Sequence, residues 1–128
     1  MALDRSDVEA LLPLTPAAFQ ILLALIEGEL HGYAIMQEIT QRTDGKVKLG
    51  PGTLYRSIRR LLADGLIEES DERPEPELDD ERRHYYHLTS LGLRVAEAEA
   101  QRLVALVRMA QSKRLLLDQG VRFMEGGV

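Results

Sequence analysis

The chain has 128 residues, 45% hydrophobic and 29% charged, a size and balance that fit one soluble domain with one modest core. It has no Cys and no Trp, and aromatics make up only 5%; this excludes disulfides, thiolate metal sites and cysteine nucleophiles, and argues against stacking recognition of single strands. The formal net charge of −5 is concentrated in one place: residues 68–82 hold 9 acidic and 2 basic groups, net −7, against 8 and 7 in residues 1–67 and 4 and 7 in residues 83–128.

With a screening length of ~8 Å at physiological salt, a basic face elsewhere on the molecule can still act on an anion. The lack of Cys fits a reducing compartment. Met1-Ala-Leu-Asp-Arg5 lacks a basic-then-apolar leader, and no apolar run approaches the ~18 residues of a membrane span. The expected location is the cytoplasm, with no membrane partner.

Residues 1–13 read as an N-terminal arm or short helix, with Ser6 or Asp7 as cap before Val8, Leu11 and Leu12, and Pro13 as its end. Thr15-Pro16 pairs a capping residue with a proline in the first helical turn. The first main helix then runs to about Glu27 and is apolar nearly all round, which demands cover on more than one side, from its own core and a partner subunit. The second opens at His31-Gly32-Tyr33, turns Ile35, Met36 and Ile39 inward, and stops at Asp44-Gly45.

Gly50-Pro51-Gly52 breaks the chain and starts a third helix. From Thr53 to Asp64, Leu54, Ile58, Leu61 and Leu62 fall on one side; Thr53, Arg56, Arg59 and Arg60 fall on the other, with Tyr55 and Ser57 on the flanks. Lys46 to Arg60 holds five basic residues and no acidic one. An apolar back and a basic front suit insertion into a DNA major groove, although arginines on a helix are more often just a solvated face.

Residues 66–70 and 83–88 read as two paired strands, with Tyr86 and Leu88 on one face and Tyr85 and His87 on the other. The acidic, proline-bearing segment between them reads as a hairpin tip. Thr89 caps a last helix from Ser90 to about Asp118, roughly 43 Å long. Its stripe of Ala96, Ala100, Leu103, Val107 and Ala110, widened by Val104 and Leu106, would be wet in a monomer and so predicts a dimer, with Leu22 of the first main helix joining the interface. The expected fold is mainly α with a small β-hairpin wing: a winged helix-turn-helix DNA-binding domain over 14–88, a dimerisation helix over 89–119 and a flexible tail over 120–128.

His31-Gly32-Tyr33, Gly52-Thr53-Leu54-Tyr55, Leu61 with Gly65-Leu66-Ile67, and Arg83-His-Tyr-Tyr-His-Leu-Thr89 with Gly92 stand in an order and spacing that resemble the PadR family of bacterial transcriptional regulators. The likeness covers Leu14 to about Gly92, and the single last helix is similar to the short PadR subgroup. The resemblance implies a homodimeric repressor. Its third helix would enter the major groove, its wing would touch flanking backbone, and its last helix would join two copies. Many members regulate stress, phenolic-acid or drug-efflux genes. Two departures stand out. Arg56 follows the Leu-Tyr pair where the family often has Pro, and the wing tip is acidic where the family often has Gly and basic residues.

Arg56 and Arg60 are the first candidates for reading guanine or gripping phosphate, with Arg59 beside them. Lys46 and Lys48 would touch backbone, and Arg82 and Arg83 would serve at the wing base. Thr53 either caps its helix or helps hold a phosphate. Tyr55 either meets DNA or packs on the second helix, and Tyr33 either meets phosphate or joins the core. His84 and His87, three apart in a strand, point to opposite faces and cannot share a metal; His31 reads as a cap or packing residue. No catalytic constellation, nucleotide loop, cofactor or metal site is visible. The expected partners are double-stranded DNA, a second copy of the chain and a small apolar or aromatic effector held between the last helices and the first main helix. The competing reading is a winged-helix protein-interaction module that has lost DNA binding, motivated by the acidic tip.

Overall fold

A computed structural model describes residues 5–70 and 84–116. The elements in chain order are α1 (Arg5–Glu9), α2 (Pro16–Ala24), β1 (Leu30–His31), α3 (Gly32–Arg42), α4 (Pro51–Ala63), β2 (Ile67–Glu69), β3 (Tyr85–Leu88) and α5 (Ser90–Ser112). The wing tip, Arg82, Arg83 and the expected tail lie outside the described residues.

Local chemistry sets the helix ends. The Thr15 hydroxyl accepts from Ala18 N–H at 3.1 Å, with Pro16 in the first turn of α2. His31 caps α3 through its ring, Nδ1 accepting from Ala34 N–H at 3.2 Å. Asp44 and Gly45 end α3 in the left-handed region, φ 54° and 78°, and Gly45 N–H donates back to Thr40 carbonyl at 2.7 Å. Gly65, φ 75°, does the same for α4, placing Leu66 N–H on Leu61 carbonyl at 3.0 Å.

The three strands form one antiparallel sheet in the order β1-β3-β2. Ile67 pairs with Leu88 and Glu68 with His87, while Leu30 pairs with Tyr86 on the other edge of β3. β1 went unseen in the sequence because two residues cannot show an alternation. It forms only because β3 offers a free edge to the extended segment before α3.

Ile21 and Leu22 of α2, Ile35 and Ile39 of α3, Leu54, Ile58 and Leu61 of α4, Leu66, Ile67, and Val95 of α5 are all almost completely buried in a single core. Val8 of α1 joins it. Two expected interface residues belong to this core instead. Leu22 and Ala96 are 0% and 5% exposed and have no surface to offer a partner. A helix apolar all round hides which side is outward; on α2 it is Leu23 and, just beyond the helix, Ile26. The last helix also ends earlier than expected. Arg114 takes φ 64°, and Leu115 N–H turns back to Ala110 carbonyl at 2.9 Å, closing α5 without a glycine. Its 23 residues span roughly 35 Å.

One buried charge was invisible to pattern reading. Glu99 of α5, 3% exposed, takes two bonds from Arg102, at 2.8 and 2.7 Å, and one from Leu14 N–H at 3.4 Å. The Arg102 hydrogen bond holds its pKa below the ordinary 4.5, against the opposing effect of burial. Its folded pKa is depressed, so its stabilisation is full above the unfolded value and is lost as pH falls through the folded one. Glu99→Ala is expected to cost about 2 kcal/mol near neutral pH, because hydrogen bonds to a charged group are lost and Leu14 N–H is left without its acceptor. In urea melts the gap between wild type and variant should shrink below about pH 4.

Candidate nucleic-acid interface

The sharpest division of character in the chain is on α4. Leu54, Ile58 and Leu61 are 0%, 1% and 2% exposed, whereas Thr53, Tyr55, Arg56, Arg59 and Arg60 all face solvent. The apolar back is locked against α2 and α3, so the basic front cannot roll inward without opening the core.

The start of α4 is bare. Gly50 occupies the cap with no side-chain hydrogen bond, and Pro51 has no N–H to satisfy. The first free donors of the helix are the N–H groups of Gly52 and Thr53, beside the Thr53 hydroxyl. Thr53 therefore sits inside the first turn rather than at the cap, which leaves its capping role without support.

Tyr55 takes the packing alternative and still keeps part of its side chain in solvent. Its ring lies over Gly32 so closely that a Cβ there would stand 2.7 Å from the phenol oxygen, yet the residue stays 42% exposed. The contact joins the His-Gly-Tyr and Gly-Thr-Leu-Tyr segments into one unit. Tyr33, one residue on, is 56% exposed, which settles it outside the core. Tyr33 and Lys48 line the same surface cavity over Met36 and Leu49. Lys46 is exposed nearby in sequence. The structure thus brings Tyr33, Lys48, Tyr55 and the start of α4 to one side.

Arg60 is not wholly free: its Nε donates to Asp64 at 3.1 Å, one turn on. With the Arg60 side chain 79% exposed, that pair is weak and easily exchanged for a phosphate. Arg56 and Arg59 make no ion pair among the described residues and stand ready to bind an anion.

On the sheet, Tyr86 is buried and its phenol pKa is raised, first by burial, then by Glu69 and Tyr55. His84 pairs with Glu69 and His87 with Glu68, so the two histidines face different carboxylates across the β2–β3 ladder. Among the described residues no group of three or more His, Asp or Glu side chains is arranged to hold a metal, and no helix is long and apolar enough to cross a membrane.

A helix pair ending in an exposed basic helix, followed by a small antiparallel sheet, defines a winged helix-turn-helix protein. The sequence model of the transcriptional regulator PadR-like family matches residues 21–98, and the chain belongs to that family. The family is one of DNA-binding transcription regulators, not of enzymes.

A relative in Streptomyces fradiae, the uncharacterized 37.1 kDa protein in transposon Tn4556, is 36% identical over 90 residues. That stretch is 70% of this chain and only 24% of the relative. Among solved structures, a PadR family transcription regulator from Clostridium difficile R20291 superposes with a TM-score of 0.64 at 22% identity, over 77% of this chain and 97% of the other. Bacillus subtilis PadR, solved in complex with operator DNA, superposes with a TM-score of 0.57 at 21% identity, over 67% of this chain and 47% of the other. At these identities the two structures share the fold with this chain.

Proposed function

We propose that two copies of this chain bind a palindromic operator and repress transcription, with α4 in the major groove. The observation that carries the reading is the basic outer face of α4, held outward by three fully buried residues on its back. Arg56 and Arg60 read or grip the groove, Arg59, Lys46 and Lys48 neutralise phosphates, and Thr53, Tyr33 and Tyr55 meet backbone beside the helix start. Arg82 and Arg83 complete the contact from the wing base. Bacillus subtilis PadR, a structure of the same fold, was captured on operator DNA, which supports the reading.

Ala100, Leu103, Val104, Leu106, Val107 and Ala110 of α5 face outward beyond the core and form the contact between the copies. Two-fold symmetry then sets half-sites about one helical turn apart, ~34–36 Å. A small apolar or aromatic effector held between the last helices and α2 of the dimer would release the operator.

Fluorescence anisotropy on the DNA upstream of the protein's own gene tests the DNA contact. Affinity should fall steeply as salt rises, because phosphate contacts release counterions. The Arg56→Ala/Arg60→Ala variant should bind at least ~10-fold more weakly, from ~1–3 kcal/mol per well-placed arginine. Unchanged affinity in that variant would remove α4 as the reading element.

A further inference from the structure

The base of the wing carries a chain of four side chains that α4 does not use. Glu29, just before β1, accepts from the Ser70 hydroxyl at the end of β2. Ser70 Oγ lies 3.0 Å from Nδ1 of His87 on β3, and His87 Nε2 lies 3.2 Å from Glu68 Oε1 on β2. The order Glu29–Ser70–His87–Glu68 spans all three strands or their ends, and both of its termini are carboxylates.

Counting protons decides what this chain requires. A carboxylate only accepts, and a serine hydroxyl has one proton to give. If Ser70 donates to Glu29, His87 must donate to Ser70 from Nδ1, and it must also donate to Glu68 from Nε2. Only the imidazolium donates from both nitrogens. A neutral ring leaves one of the three contacts facing lone pair to lone pair, whichever tautomer it takes. We propose that His87 is a proton-controlled positioning residue for the wing: protonation closes the relay, fixes the strand ends against one another and tightens DNA binding.

The charges around the ring favour the same direction. Glu29 and Glu68 face it directly, and Glu27 lines the same surface pocket as His87 and Glu29. Glu69 lies on the other face of β2 with His84. Tyr85, on the outer face with His87, packs edge-on against His31 at 5.4 Å between ring centres. A proton on His87 offsets one negative charge on a surface that phosphates would otherwise meet as acidic. The closed relay needs the proton on both ring nitrogens, so it belongs to the acid side and the open one to the basic side. The members are exposed, with His87 side chain 42% and Glu68 67% accessible, so the effect is of a few-fold size.

The inference rests on the DNA-binding reading above, and the test separates the two. Anisotropy of the full chain on its upstream DNA, at fixed ionic strength, should show about fivefold tighter binding at about pH 6 than at about pH 8. His87→Gln should flatten that ratio. Glu29→Gln should flatten it too, because the new amide donates to Ser70, Ser70 then donates to Nδ1, and a neutral ring satisfies every contact. A wild-type ratio near one, or the wild-type ratio persisting in either variant, overturns the proposal. If the DNA is not bound at either pH, the DNA reading fails, and side-chain nitrogen resonances of His87 in the free protein decide the relay. A titration that moves in Glu29→Gln supports it; identical titrations in wild type and Glu29→Gln overturn it.

Discussion

Gly92→Ala should lower the melting temperature by about 10 °C or more, the largest effect expected of a Cβ added at any described glycine. A Cβ at Gly92 would stand 2.0 Å from the carbonyl oxygen of Leu66 and 3.0 Å from Cδ1 of Leu88. The obstacle is backbone, and that backbone is already committed. Leu66 carbonyl accepts from Thr89 N–H at 3.1 Å, the Thr89 hydroxyl donates to Gly65 carbonyl at 2.7 Å, and Gly92 N–H donates to the same hydroxyl at 3.0 Å. Moving α5 away to admit the methyl group breaks this cluster and lifts Val95 out of the core. The cost should be about 3 kcal/mol or more even after the ~1 kcal/mol that alanine gains over glycine in a helix. Gly52→Ala is the control. The nearest atom to its Cβ is 3.7 Å away, at the tip of the flexible Arg56, so that variant should melt within about 3 °C of wild type. Comparable melting of the two variants would mean that α5 does not start against the Gly65-Leu66 turn.

The second large effect is expected on assembly. Leu103, Val104, Leu106, Val107 and Met109 are 37–57% exposed along the outer half of α5. Burying such a side chain is worth ~1.5–3 kcal/mol when complete, and forcing a carboxylate into the same contact costs several kcal/mol. Leu103→Asp/Val107→Asp should therefore weaken dimerisation at least ~100-fold, read by sedimentation velocity, and DNA affinity should fall with it. Helical content should hold, because the core ends near Glu99 and neither residue belongs to it. A variant that sediments as the wild type does would remove this face of α5 as the contact between copies.

The basic helix, its buried back and the turns around it were legible because they are written in local periodicity and in glycine and proline. The family resemblance rested on the same short-range signals, and the match over residues 21–98 agrees with it. What could not be read was non-local. Leu22 looked available because an all-apolar helix has no visible outside, and only the packing of α3, α4 and α5 around it decides which residues remain wet. Glu99 has the spacing of an ordinary surface charge, since nothing local tells that α1 and Leu14 cover it. The relay at His87 needs Glu29, 58 positions away in sequence, and the short strand that brings it there. Strand alternation separates His84 from His87 but says nothing of the carboxylates each one meets, Glu69 and Glu68.

His31 is at once the last residue of β1, paired with Tyr85, and the cap of α3. Sheet and helix pair are thus welded at one amino acid, with Tyr55 over Gly32 as a second rivet beside it. Sheet, α3 and α4 therefore move as one stiff piece, without a wrist between the strands and the basic helix. In the dimer proposed above, any adjustment to operators of different spacing would then fall on the tilt of the two last helices, like the legs of a calliper set by its joint rather than by bending its tips.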